Sequence, residues 1–502
     1  MAGNAGRKGH VVVVSYPAVG HSNPMLQFSK SLASRGVLVT FVTFNFYQAK
    51  VIQAMECLQR LNLDVRFECI PGGLFEEKPT LDTSINLSVF LHMQNNMDGS
   101  GLEHLIRRLS ADAPPVCCII YNSFLPWVRH VANKFKIPQA LFWTQSAAVF
   151  SIYHHFQKGS MTTTVLILFY FCSSFTKLSS DCDGEGWDCT RIPENVIIPG
   201  LPELKMCDIP SAFRDTSGFV NYYLRQLESV KDVSWVIANT VYELERETID
   251  SIRSASIPFL PIGPSIPLAF LQGRNSEDTQ VGTNPWKAAD CMDWLNKKPP
   301  LSVVYISFGT VAVISAEQIQ ELAVDIQQSG QNFIWVIRAP PGQGKIGEIL
   351  PAGFLEETQE RGLVVEWCVQ LDVLSHPSVG LFMTHCGWNS TLDALSLGVP
   401  TLTLGILSDQ PTNSKFVTDV WKTGLKMRTR DDGVLGREEI QRCIRLAAIE
   451  SEQGKQLRNN ALKWRELVRS AASDGGSSHI NLNAFAEEIF SKAKELASLH
   501  GN

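Results

Sequence analysis

The chain has no surplus of positive charge. Its 44 Lys and Arg are outnumbered by 50 Asp and Glu, which gives a net charge of −6 and a pI near 6.0. No basic block stands out, so nucleic acid is not an expected partner. Long hydrophobic runs are also missing. Nothing reaches the roughly 18 apolar residues of a membrane span, and no stable membrane insertion is expected. The opening residues MAGNAGRKGH carry no apolar signal core, and Val11 to Val14 is too short to supply one. The 12 cysteines include no CxxC pair and no tight cluster with histidine. That pattern supports neither a zinc site nor a disulfide framework, and it fits a reducing, cytoplasmic setting.

What is present is globular. Hydrophobic residues make up 44% and charged residues 19%. At 502 residues the chain is too long for one ordinary core, and two domains are the natural expectation. The β-branched run Val11 to Val14 reads as a strand, followed by a Pro/Gly loop from Pro17 to Pro24. Met25, Phe28 and Leu32 then recur at helical spacing, with Gly36 as a stop. Val37 to Phe44 reads as the next strand. This is a βαβ unit, which implies a parallel sheet. Val116 to Tyr121, with Cys117 and Cys118, and Ala140 to Trp143 read as further buried strands.

A second set of elements follows Pro264, after a polar linker from Gln272 to Pro285. Val303 to Phe308 and Phe333 to Ile337 read as strands. Ser315 to Gln318 has the capping-box pattern ahead of the stripe Ile319, Leu322, Ala323 and Ile326. Near the end, Leu482, Phe485, Ile489, Ala493 and Leu496 mark an amphipathic helix. Each half therefore carries its own alternating β/α pattern.

The most informative stretch runs from Trp367 to Gln410. An apolar run, Val379 to Met383, leads into Thr384-His385-Cys386-Gly387-Trp388-Asn389-Ser390-Thr391 and a helix-like segment closed by Gly398. A strand that delivers His, Gly and small polar residues to a helix start is the layout of a phosphate cradle. The helix N-terminus offers unpaired N–H groups and about half a positive charge. His385 adds a donor, and Asn389 and Ser390 can cap the helix or bind phosphate oxygens.

This stretch resembles the signature box of plant family 1 UDP-dependent glycosyltransferases. Trp367, Gln370, His376, Gly380, His385 to Thr391, Gly398-Val399-Pro400 and Asp409-Gln410 all fall at that family's spacing. The resemblance implies an α/β fold of the GT-B type, with two Rossmann-like domains whose parallel sheets face across a cleft. It implies an acceptor-binding domain over 1–260, a linker over 261–285, a UDP-sugar-binding domain over 286–480, and a C-terminal helix over 481–502 crossing back to the first domain. It implies that Trp367 stacks on uracil, Cys368 meets its edge through the backbone, and Gln370 reaches the ribose. Thr310, His385, Asn389 and Ser390 then contact the diphosphate, with Trp388 in the same box. Asp393 stands where the family usually has Glu on the ribose. Asp409 and Gln410 bind sugar hydroxyls, Gln410 favouring glucose, and Thr144 touches the donor sugar. Gly405 and Leu407 replace a usual Pro and Trp. For His376, packing and loop structure are the expected role. UDP-glucose is then a co-substrate. No resident cofactor and no metal are expected, because the helix N-terminus and His385 do a cation's work; the acidic triplet Asp181-Cys182-Asp183 follows no clean strand. The partners are a small-molecule acceptor and a UDP-sugar, and the expected state is a monomer.

In the first loop, His21 matches the family's general base. The family backs that His with an Asp in a sequence like Tyr-Asp-Ser-Phe-Leu-Pro-Trp. Here the stretch is Tyr121-Asn122-Ser123-Phe124-Leu125-Pro126-Trp127. Asn122 can hydrogen-bond an imidazole but cannot neutralise an imidazolium; in serine-protease triads that exchange costs about 10⁴ in rate. A phenol with pKa near 10 needs roughly 4 kcal/mol of deprotonation at pH 7, whereas a carboxylic acid of pKa near 4 is already ionised. Asn122 therefore points to a carboxylate acceptor and a glucose ester, and the glucose-ester-forming group of the family often carries Asn there. A phenolic acceptor such as a flavonoid is the alternative within the family. A nucleotide-sugar-binding protein without transfer is the alternative outside it. One segment departs from the resemblance, residues 161–191, with the apolar run Val165 to Cys172. It reads as a buried strand, a pocket wall or a membrane-touching loop, or as a translated intron, with a pocket-side insertion and a gene-model artefact weighing about equally.

Overall fold

A computed structural model of the chain describes residues 9–72, 97–111, 114–159, 195–214, 220–272, 287–310, 314–339, 344, 346–430, 432–448 and 450–500. The atypical segment, its acidic triplet and most of the linker lie outside the described residues.

Two sheets organise the fold. In the first half the strands are β1 His10–Val14, β2 Leu38–Phe44, β3 Val65–Ile70, β4 Val116–Asn122, β5 Gln139–Trp143, the short antiparallel pair β6 Asn195–Val196 and β7 Leu204–Lys205, then β8 Trp235–Ala238 and β9 Phe259–Pro261. All but β6 and β7 form one parallel sheet in the order β3-β2-β1-β4-β5-β8-β9. In the second half β10 Val303–Ser307, β11 Asn332–Val336, β12 Gly362–Val365, β13 Val379–Thr384, β14 Thr401–Thr403 and β15 Gly424–Lys426 form a parallel sheet in the order β12-β11-β10-β13-β14-β15.

The Val11 to Val14 run is apolar throughout because both faces of β1 are covered. Val12 and Val14 point into one core with Tyr121 and Leu141; Val11 and Val13 point into the other with Phe28 and Ile237. The last helix, Ser477–His500, closes that second core. Its Phe485 meets the edges of Trp235 and Phe28 at 5.2 and 6.2 Å between centroids, and the Trp235 indole donates to Glu488 at 2.9 Å. Leu482, Phe485 and Ile489 are buried there, each contributing roughly 2 kcal/mol. The chain thus returns to its first sheet.

Two sequence expectations shift. Residues 19–24 are not loop: a helix spans Val19–Ala33, so His21 sits in its first turn and Pro24 lies inside it. The capping box is half formed. Ser315 Oγ accepts from the Gln318 amide at 3.1 Å, but the Gln318 side chain turns inward to pair with both backbone groups of Leu435. Burial of the Gln318 carboxamide demands that pairing, which an exposed glutamate would not need.

The domains meet along a seam of indoles. Trp388 Nε1 donates to the Asn239 carbonyl at 2.6 Å and Trp421 Nε1 to the Leu244 carbonyl at 3.1 Å. Ala148 and Val241 from the first half pack there with Leu392, Phe416 and Val417. Asp208, nearly fully buried, faces Lys426 at 3.3 Å and Lys415 at 3.8 Å. No helix among the described residues is long and apolar enough to cross a membrane.

One buried group opposes stability. Asp325 is fully buried between the helices Ala316–Ser329 and Arg437–Ala447. Gln441, Arg445 and Arg437 favour its charge, yet neither oxygen makes a well-formed hydrogen bond, and burial raises its pKa to about 7. Such an acid holds its proton in the folded state up to about pH 7 but loses it near 4 when unfolded, so stability falls as pH rises through that window. Asp325→Asn is expected to stabilise the protein by about 1–3 kcal/mol at pH 8 and by much less at pH 5, measured by thermal melting at both.

Candidate functional site

Both sheets reverse their strand order beside their first strand. In the first half the reversal lies between β1 and β4, in the second between β10 and β13. Ligands of open α/β sheets bind at such switch points, outside the carboxyl ends of the strands. The residues found there are His21 after β1, Asn122 at the end of β4, Gly309 and Thr310 after β10, and His385 after β13.

The cradle is built by strain and by glycine. Cys386 adopts φ +61, held by its amide on Thr384 Oγ1 at 3.2 Å and by Asn413 Nδ2 on its carbonyl at 2.9 Å. That turn swings the chain from β13 into the helix Trp388–Leu397, whose N-cap is Gly387 and which no side chain caps. The His385 ring lies between two glycines: a Cβ on Gly309 or on Gly387 would come within 2.5 Å of its Nε2. Neither Asn389 nor Ser390 caps the helix. Ser390 Oγ accepts from Gln370 Nε2 at 3.1 Å. Asn389 reaches the other domain, where its Nδ2 donates to the Gly20 carbonyl at 2.8 Å.

That carbonyl is available because of Pro24. In an α-helix the amide of residue 24 would take the carbonyl of residue 20, and proline has no amide hydrogen. The helix Val19–Ala33 is itself uncapped by any side chain. Two helix N-termini, one from each domain, therefore converge on one place, each with about half a positive charge and open N–H groups.

His21 stands at that meeting point. Its ring is held edge-on by Phe124 at 4.7 Å and Tyr16 at 5.2 Å between centroids, and its Nδ1 is 3.1 Å from Thr144 Oγ1. The ring is half-buried by exposed area but closely surrounded by protein, and loss of hydration pushes its pKa down to about 4, against the weaker opposing effect of a side-chain hydrogen bond with Asn122. Asn122 is fully buried; its Oδ1 accepts from the Phe124 amide at 3.1 Å and its Nδ2 faces Met25 Sδ at 3.7 Å. His385 is likewise pushed down to about 4 by burial.

The other candidate residues form one network. Gln370 Nε2 donates to Asp393 Oδ2 at 2.8 Å as well as to Ser390, and Tyr305 donates to Gln370 Oε1 at 3.5 Å. Burial raises the Asp393 pKa to about 7. The Cys368 thiol is buried against the Tyr305 hydroxyl at 3.6 Å, and the half-buried Trp367 accepts from the Ala289 amide at 2.9 Å through its carbonyl. Asp409, raised to about 6 by burial, accepts from Asn413 at 2.7 Å. Gln410 Oε1 accepts from the amides of Ile406 and Leu407.

Residues 281–431 match the family "UDP-glucoronosyl and UDP-glucosyl transferase", and residues 8–168 match "Glycosyltransferase, N-terminal domain". UDP-glycosyltransferase 74D1 of Arabidopsis thaliana is 36% identical over 96% of this chain and 98% of its own length. The chain belongs to the plant family 1 UDP-glycosyltransferases. Crocetin glucosyltransferase of Gardenia jasminoides is 34% identical over 95% of this chain and 97% of its own. Os79 of O. sativa, solved in complex with UDP, is similar at a TM-score of 0.80 and 28% identity, over 95% of this chain and all of Os79. The fold is GT-B, and the chain is a transferase.

Two residues of this glycosyltransferase make contacts that the sequence did not anticipate. The Trp388 indole points into the interdomain seam, so only its backbone belongs to the cradle; the ring's apolar surface and N–H are both satisfied there. Thr144 lies on His21, with its hydroxyl 3.1 Å from the imidazole Nδ1. His376 is structural: its Nε2 meets Asn296 at 3.1 Å and its Nδ1 accepts from the Ser378 amide. Sequence reading missed Asn413, which joins Asp409, Cys386 and Ser146, although its i+4 spacing from Asp409 on one helix was a usable signal. It also missed Asn239, which carries no local signal.

Pro24→Ala would restore an amide that competes with Asn389 for the Gly20 carbonyl. The variant is expected to bind UDP about three- to ten-fold more weakly, as the loss of one hydrogen bond implies, while its melting temperature holds or rises. Calorimetric titration with UDP beside a thermal melt checks both.

Proposed function

We propose that this glycosyltransferase takes UDP-glucose and transfers glucose, with inversion, to a small carboxylic acid, forming a glucose ester. The observation that carries the acceptor class is the surroundings of His21. Its partners are both neutral, the Thr144 hydroxyl and an Asn122 carboxamide shared with the Phe124 amide, and its pKa sits near 4. Such an imidazole is a weak base. Drawing a proton from a phenol of pKa near 10 would be uphill by roughly 8 kcal/mol, whereas a carboxylate needs no proton removed. Phe124, next to His21, also meets Tyr223 at 6.0 Å, a ring-lined setting suited to an aromatic acid.

In this reading uracil lies on Trp367 beside Cys368, and the ribose meets Gln370 and Asp393. The diphosphate takes the open N–H groups of both helices with Thr310, His385, Asn389 and Ser390. Glucose lies against Thr144, Asp409 and the Gln410 carboxamide. The acceptor oxygen attacks the anomeric carbon from the face opposite UDP, and the departing charge is stabilised by dipoles already aimed at it. The helix N-termini supply the potential that a divalent cation supplies elsewhere, so no metal is called for. The glucose donor is supported by Gln410 and by the glucosyltransferases among the relatives.

The deciding assay pairs a cinnamic acid with a flavonol, both with UDP-glucose and mass detection. The acid is expected to react and its product to fall apart in mild alkali; a flavonol-only result, giving an alkali-stable ether, would sink the ester reading. Asn122→Asp is expected to raise turnover of phenols by roughly 10–100-fold while leaving acids nearly unchanged. With the acid, kcat/KM is expected to be flat from pH 6 to 8 and to fall only as pH drops toward 4, where His21 gains its proton and the acceptor loses its charge. A rise through pH 6–7 would show a base of ordinary pKa.

A further inference from the structure

We propose that Thr144, not Asn122, is the positioning residue of His21. Its hydroxyl accepts the Nδ1 proton, which leaves Nε2 bare toward the acceptor and turns the hydroxyl's own proton outward. The inference rests on His21 acting at the acceptor, and it adds the group that orients it.

The geometry carries it. Thr144 Oγ1 is 3.1 Å from His21 Nδ1, across 123 residues of sequence. Thr144 is itself held rigidly. It follows β5 directly, and Trp143 Nε1 donates to the Ser146 carbonyl at 2.9 Å, closing the turn. Ser146 then caps the helix Ala147–Gln157 by accepting from the Val149 amide at 3.3 Å. Thr144 is buried, so its hydroxyl has a settled direction. Asn122 also lies within side-chain hydrogen-bond reach of His21, but its Oδ1 already accepts from the Phe124 amide and its Nδ2 is turned to Met25, so Asn122 is the shared partner and Thr144 the dedicated one. Phe124 and Tyr16 restrict rotation of the imidazole, so the hydroxyl has only to select the tautomer. With a hydroxylic acceptor the balance is simple. The acceptor O–H proton passes to Nε2, the oxygen bonds to the anomeric carbon, and the bond from that carbon to UDP breaks with its electron pair leaving on the diphosphate. With a carboxylate the proton transfer drops out and Nε2 positions the oxygen.

The test is the tautomer itself, read from ¹⁵N shifts of the full chain labelled at histidine, with His21→Gln used to assign the signals. Wild type and Thr144→Ser are expected to show His21 protonated at Nδ1 and bare at Nε2, and Thr144→Val a mixture of tautomers. Turnover should follow: Thr144→Val lowers kcat by roughly ten-fold or more with less than a three-fold change in KM for UDP-glucose, and Thr144→Ser restores it. Asn122→Ala should leave the tautomer as in wild type. A wild-type His21 protonated at Nε2, a tautomer that moves with Asn122→Ala, or a Thr144→Val effect confined to KM would each overturn the proposal. Should Thr144→Val not fold, the wild-type and Asn122→Ala spectra still decide it. The kinetics use whichever acceptor reacts, so failure of the ester reading leaves the tautomer result intact.

Discussion

Two indole N–H groups hold the site together. Neither sheet contains it; it exists only where the ends of β1 and β4 face the ends of β10 and β13. Trp388 and Trp421 set that distance by donating to the carbonyls of Asn239 and Leu244 inside an apolar seam. A buried hydrogen bond there is hard to exchange for water, since breaking it leaves a donor or an acceptor unmet at a cost of about 1–3 kcal/mol. Trp388 is also the first residue of the helix that forms the cradle. The side chain that joins the domains and the backbone that opens the helix therefore belong to one residue.

The charge pattern follows from that closure. Two helix N-termini brought together repel each other mildly; in the proposed reading a diphosphate between them would remove the repulsion and fill their open N–H groups. Burial weakens the charge of the side chains around them. Burial lifts Asp393 to about 7 and Asp409 to about 6, so their negative charge competes less with the phosphates. Burial also lowers His21 and His385 to about 4, leaving both imidazoles uncharged. In that reading, attraction for the donor is carried by oriented backbone, which needs no reorganisation as charge moves to the leaving group.

Much of this was legible in the chain. The Val11 to Val14 run, the stripe of the last helix and the passage from β13 into His385 and Gly387 are local patterns, and they fold locally as read. What stayed hidden depends on partners far along the chain. Pro24 looked like a loop residue because proline usually ends or precedes helices; its effect appears only when Asn389 reaches the carbonyl it leaves open. Thr144 and His21 are 123 residues apart, and nothing in either neighbourhood marks the other. Trp388 reads as part of a ligand box, yet its ring finds a drier place in the seam. Gln318 fits a capping pattern until Leu435 offers it two backbone groups.

By itself the sequence determined two βα halves, a strand-to-helix passage at His385 to Ser390 and a histidine between the first strand and the first helical stripe, because strand and helix periods and glycine-bounded turns are short-range. It also placed Asn122 where a carboxylate is usual. Only the tertiary structure decided which groups those residues touch. It turned Asn122 to the Phe124 amide, gave His21 a hydroxyl, and set one helix end against another. Hydrogen bonds and desolvation act over a few ångströms of space, and the distance along the chain does not measure that space.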